Sequence, residues 1–90
     1  MDHFDFVIII SAGAEWRSIS PFLSTSSEVN TPYPHCLTTS IEKTAVVFLH
    51  SGWGKVASAG ATQYAIDRWT PKLMINLGTC GGLDGRVNLG

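Results

Sequence analysis

Apolar positions recur along this chain in two rhythms, and the change from one to the other marks out its elements. Residues 4–10 are almost continuously apolar and rich in isoleucine, the pattern of a strand buried on both faces of a parallel or mixed sheet. Residues 37–41 and 44–49 are rich in β-branched residues, and the polar pair Glu42-Lys43 between them has the length of a hairpin turn. Residues 72–77 carry Leu73, Met74, Ile75 and Leu77 and read as a further strand. Between these runs the spacing becomes helical. In residues 15–23, Trp16, Ile19, Phe22 and Leu23 share one face, and Pro21 predicts a kink, or a break with Ser20 capping a second turn. Residues 56–69 form a second helix with Val56, Ala57, Gly60, Ala61 and Tyr64 on one face. Three of those five are very small, so this helix can lie close on a sheet. Ile66 and Ala59 point the other way, near Trp69, which marks a second contact surface. Thr70-Pro71 ends the helix and completes a βαβ unit. Residues 24–34, rich in Ser, Thr, Asn and Pro, read as a surface loop; Asp84-Gly85 is a turn, and residues 87–89 begin another strand. The fold class is α/β with a mixed central sheet.

Three loops then converge on one sheet edge: residues 11–15, 51–55 and 78–82. Ligands of open α/β sheets bind at the carboxyl ends of the strands. Gly78, Gly81 and Gly82 let the backbone approach a ligand without an intervening Cβ, and the Thr79 hydroxyl can donate and accept there. A plain strand-to-loop turn would use the same glycines for their dihedral freedom. Residues 52–57 also fit G-x-G-x-x-A, the dinucleotide pattern. That pattern wants an acid about 20 residues on to hold a ribose hydroxyl. The chain offers Asn76 and Thr79, so a dinucleotide-binding domain is the weaker reading.

Composition narrows the function classes. The chain has 90 residues, 44% hydrophobic and 14% charged, with a mean hydropathy of +0.16, more apolar surface than a domain this small hides alone. Further chain or a partner is expected. A net charge of −1 and a pI of about 6.2 give no electrostatic case for nucleic acid or an anionic membrane. The longest apolar run is too short to cross a bilayer, and the acidic start lacks the basic region of a signal peptide, so a cytoplasmic protein is expected. Cys36 and Cys80 have neither CxxC nor metal-ligand spacing and read as free thiols.

Residues 51–57 (SGWGKVA) and 75–82 (INLGTCGG), some twenty residues apart, resemble the superfamily of purine nucleoside phosphorylases and uridine phosphorylases. Within it they are most similar to the 5′-methylthioadenosine/S-adenosylhomocysteine nucleosidases. The likeness covers nearly the whole chain: a buried strand, an acidic helix start, a hairpin, an SG-x-GK-x-A helix start and an N-x-G-[ST]-x-GG loop, in that order. It implies a three-layer αβα fold and residues 1–90 as the N-terminal part of a single domain. It also implies a homodimer or a complementing C-terminal chain, a small-molecule nucleoside as ligand, and no metal or organic cofactor.

By the same resemblance Glu15 matches the general base that activates the water attacking the anomeric carbon. A carboxylate suits that task, since it takes the water's proton and stabilises an oxocarbenium-like state. Read without the resemblance, Glu15 is a first-turn acid favoured by the helix dipole. Thr79 matches the hydroxyl residue that holds water and ribose, or phosphate in the phosphorylases. Gly78, Cys80 and Gly81 match loop positions along the nucleoside. Trp53 matches a pocket residue near the 5′ substituent, where a smaller aliphatic is usual, or else is an ordinary core tryptophan. Ser11 lines the same cavity. Cys80 matches no nucleophile and otherwise reads as a small buried residue. His3, His35 and His50 match no role and read as structural or solvent-facing; Lys55 and Arg17 read as solvated.

One position separates two reactions. The phosphorylases carry an arginine two residues before the loop glycine to grip phosphate; this chain has Asn76 there, which favours water as the nucleophile. The expected activity is hydrolysis of a purine nucleoside to free base and sugar, with phosphorolysis and a non-catalytic nucleoside-binding module as alternatives. The family's leaving-group acid, its base-stacking aromatic and its ribose-binding Met-Glu pair belong to the C-terminal half. The 90 residues alone are therefore expected to be inactive, as an N-terminal fragment or one piece of a split enzyme.

Overall fold

The computed structural model describes residues 4–23, 26–79 and 85. In chain order the elements are β1 (Phe6–Ile10), α1 (Gly13–Ile19), a 3-10 turn (Ser20–Leu23), β2 (Ser27–Glu28), β3 (His35–Ile41), β4 (Thr44–His50), α2 (Lys55–Trp69) and β5 (Leu73–Asn76). The strands form one sheet in the order β2-β3-β4-β1-β5. β1 lies between β4 and β5 and runs parallel to both, while β3 is antiparallel to β4 and to β2, so the sheet is mixed as expected.

The β3–β4 hairpin closes through Glu42 (φ 49°) and Lys43 (φ 69°), a pair of left-handed residues whose turn matches the twist of the strands. From Ile41 opposite Thr44 the register runs back to His35 opposite His50. The surface loop expected over residues 24–34 needs correction, because Ser27 and Glu28 pair with Thr38 and Leu37 as a short edge strand. Hydrogen bonds to the main chain of β2 build this strand, one of them from the Thr38 hydroxyl to Ser27 O (3.4 Å); it buries neither side chain.

Alternation along β1 and β4 sends side chains to both faces. Val7, Ile9, Val47 and Leu49 pack with Cys36 against Ala61, Ala65 and Trp69 of α2, and Ile10, Val46 and Phe48 pack against Trp16 of α1. The result is a helix on each side of the sheet, the three-layer arrangement expected. Burial raises the Cys36 thiol to about 11, and the cysteine is free.

Two helical faces differ from expectation. α1 does stop before Pro21, but the chain continues as a 3-10 turn, and Phe22 is 84% exposed while Ile19 and Leu23 pack inward. In α2 the buried stripe is Ala61, Ala65 and Trp69, whereas Val56 is 88% exposed at the helix start. Of the three residues expected at the second contact surface, Trp69 belongs to the core, and Ala59 and Ile66 face outward. Gly85 has φ 77°, as a turn there requires; residues 87–89 lie outside the described residues. No helix among the described residues is long and apolar enough to cross a membrane.

Candidate functional site

β1 sets the site's geometry because the loops on either side of it are tied to its last two carbonyls. Ser51 N–H donates to Ile10 O (3.0 Å), and Leu77 N–H donates to Ile9 O (3.0 Å). The loops after β1, β4 and β5 therefore stand side by side at one end of the sheet. Between them lies a cleft of about 530 Å³, within the range of small-molecule sites. Of the expected site residues, Ser11, Glu15, Trp53, Gly78 and Thr79 all line it, and Asn76 joins them. Cys80 and Gly81 lie outside the described residues.

Glu15, in the first turn of α1, reaches across to the loop after β5. Its Oε2 accepts from Thr79 N–H (2.5 Å) and from Thr79 Oγ1–H (2.7 Å). Its Oε1 accepts only a long bond from Ala12 N–H (3.4 Å) among the described residues, which leaves that oxygen lone-pair capacity at the wall of the cleft. The approach is possible because position 78 has no side chain. A Cβ on Gly78 would stand 2.9 Å from both carboxylate oxygens. The two Thr79 hydrogen bonds, with Ala12 in support, hold the Glu15 carboxyl below the usual carboxylate range against a smaller opposing effect of burial. Glu15 is thus an anion at neutral pH and stays one on moderate acidification.

Trp53 is 80% exposed, so it is not a core tryptophan. It sits between Gly52 (φ 88°) and Gly54 (φ 98°), and those left-handed glycines turn the chain from β4 into the start of α2 while presenting the indole to the cleft. On the other side of the Glu15–Thr79 contact an apolar hollow of about 310 Å³ is lined by Ile10, Ile19, Phe22 and Leu77. No group of three or more His, Cys, Asp or Glu side chains among the described residues is placed to hold a metal ion.

Sequence reasoning missed one cluster beside the site. His35 and His50, read as having no role, stack with Trp16, the residue after Glu15. The signal was available in the hairpin, since a two-residue turn at Glu42-Lys43 puts His35 opposite His50.

The family model of the phosphorylase superfamily matches residues 6–90. The chain belongs to the phosphorylase superfamily. A 5′-methylthioadenosine/S-adenosylhomocysteine nucleosidase of Bacillus subtilis is 41% identical to this superfamily member over 58 residues, which is 62% of this chain and 25% of the relative. The solved nucleosidase of the same description from Colwellia psychrerythraea, in complex with adenine, superposes with a TM-score of 0.80 at 26% identity, over 98% of this chain and 36% of that one. The S-adenosylhomocysteine nucleosidase of Streptococcus pyogenes, in complex with 5-methylthiotubericidin, shares the fold with a TM-score of 0.78 at 22% identity, over 100% of this chain and 38% of that one. This phosphorylase-superfamily chain thus spans a quarter of its curated relative and little more than a third of the solved structures.

Proposed function

We propose that the protein carrying this chain hydrolyses the N-glycosidic bond of a purine nucleoside of the 5′-methylthioadenosine or S-adenosylhomocysteine kind, releasing free base and sugar. The observation that carries the reading is the Glu15 carboxylate, ionised and held by Thr79, at the wall of a cleft whose described lining includes Asn76 and no cationic side chain. As the bond from the anomeric carbon to the base nitrogen breaks, its electron pair leaves with the purine and positive charge develops on the ribose. Glu15 stabilises that charge and takes a proton through Oε1 from the water whose oxygen bonds to the anomeric carbon. Thr79 fixes the other carboxylate oxygen and so aims the base. Trp53 offers a flat apolar surface to the substrate, and Ser11 lines the same wall.

Residues 1–90 are, on this reading, the N-terminal part of one nucleosidase domain, and the acid that protonates the leaving purine comes from the remainder of that domain. The share of the solved nucleosidases that the chain spans supports this. A cytoplasmic homodimer with a nucleoside ligand and no nucleic-acid or membrane partner completes the proposal, in keeping with the near-neutral charge.

The test is turnover of 5′-methylthioadenosine by the complete protein in phosphate-free buffer, followed as free adenine. Glu15→Gln is expected to lower kcat by about 10²- to 10⁴-fold while nucleoside binding persists. Cleavage that requires phosphate and yields a sugar 1-phosphate assigns the protein to the phosphorylases. Binding without turnover in the parent protein makes it a nucleoside-binding module.

A further inference from the structure

Next to the cleft, three flat rings from three elements form one offset-stacked cluster in which each ring meets both of the others. Trp16 of α1 lies 5.6 Å between centroids from His35 of β3 and 5.6 Å from His50 of β4, and the two imidazoles lie 5.5 Å apart. The planes agree within 9°, 12° and 8°. Trp16 and His50 are buried, at 6% and 9% exposure, and His35 closes the stack on the solvent side. His50 Nδ1 is buried with no hydrogen-bond partner among the described residues. Trp16 is covalently next to Glu15. Whatever seats the indole also sets where the carboxylate starts from.

We propose that the His35–His50–Trp16 stack is the positioning element for Glu15, clamping the first turn of α1 to the end of β4, and that it holds the carboxylate against Thr79 only while His50 is uncharged. This rests on the nucleosidase reading for its effect on turnover, but not for its effect on the Glu15–Thr79 contact.

The charges around His50 give the reason. From β3 it faces His35, and from α1 it faces Arg17, whose Nη1 would lie 3.1 Å from a Cβ on Gly13 while His50 Cε1 would lie 4.0 Å from it. A proton on His50 puts a cation on a buried ring that already faces the Arg17 guanidinium and the His35 imidazole. The Ser11 main chain favours the charged ring; burial, His35 and Arg17 outweigh it and hold His50 below the usual histidine range. A group depressed in this way is neutral in the folded protein wherever the unfolded chain is neutral. The stack is therefore complete above pH 6.5 and is lost as the pH falls below that value through the folded pKa. The Thr79 hydrogen bonds hold the Glu15 carboxyl below the usual carboxylate range, so Glu15 is still an anion as the pH first falls below 6.5.

Two variants of the complete protein test this, read by the NMR shift of the Thr79 amide proton and by kcat and KM against pH. In the wild type, the Thr79 amide is expected to move upfield, in step with the His50 ring protons, as the pH falls below 6.5, and kcat is expected to fall over the same step with KM little changed. His50→Phe keeps a stacking ring without a charge and should abolish both steps, leaving only the titration of Glu15, which lies below the usual carboxylate range. His50→Ala should lower kcat about tenfold to a hundredfold at every pH, with the Thr79 amide upfield throughout. A Thr79 amide that stays flat while His50 titrates overturns the proposal, as does a His50→Phe protein that keeps the step. If no nucleoside is turned over at all, the nucleosidase reading fails and the amide shift still decides this one. If His50→Ala does not fold, His50→Phe carries the test.

Discussion

The two faces of the sheet are built from the same strands yet covered unequally. On the α2 side Val7, Ile9, Val47 and Leu49 are sealed beneath a helix of 15 residues, about 22 Å long, which matches the length of the strands it crosses. On the α1 side the covering helix has 7 residues, about 10 Å, and reaches only the loop end of the sheet. There Ile10, Val46 and Phe48 are buried, while Ile41, Leu73 and Ile75 stay exposed around a shallow apolar trough that also includes Phe6 and Ile8. The more fully covered face holds the fold. The sparsely covered one carries Glu15, and its short helix is the element whose exact seat matters to chemistry.

This contrast can be tested by separating stability from function. The largest effect is expected on the covered face: Trp69→Ala removes the largest fully buried side chain and should cost about 3–5 kcal/mol in denaturant unfolding. A loss below about 1 kcal/mol would mean that the α2 face is not the stabilising one. Gly78→Ala comes next and should act on function. The new Cβ would push on the Glu15 carboxylate from 2.9 Å, and a displacement of about an ångström costs roughly a hundredfold in kcat, with stability nearly unchanged. Unaltered turnover would separate the carboxylate's present seat from catalysis. The smallest effect belongs to the open face, where Leu73→Ser, at a half-exposed position, should cost less than about 1 kcal/mol in the isolated 90-residue chain. The same substitution measured in the complete protein sharpens the contrast, because a markedly larger cost there would show that further chain covers β5.

Much of this was legible before any coordinates. Runs of β-branched residues located β1, β3 and β4, an apolar run located β5, Glu42-Lys43 located the hairpin, and the converging loops located the cleft with Glu15 and Thr79 on its wall. What escaped has identifiable causes. β2 is two polar residues that exist as a strand only through pairing with β3, and no side-chain pattern announces that. Phe22 was placed inward by continuing the α1 spacing through Pro21, but the α-helix ends at Ile19 and the chain goes on as a 3-10 turn with Phe22 in solvent. Alanine and glycine surround α2, so its sequence carries little amphipathic signal. The stripe through Ala61, Ala65 and Trp69 becomes visible only once the sheet lies beneath it. The histidine stack needed register as well as residue type, since both imidazoles are ordinary until the hairpin brings them face to face.

The two hydrogen bonds at the end of β1 have a consequence for how such a chain can vary. Because Ile9 and Ile10 each anchor a neighbouring loop, the relative placement of Trp53, Thr79 and Glu15 is referenced to a single ruler of five residues. Lengthening or shortening the outer strands leaves that reference intact, whereas an insertion within β1 would displace all three groups at once. The middle of the sheet is therefore where this architecture tolerates the least drift.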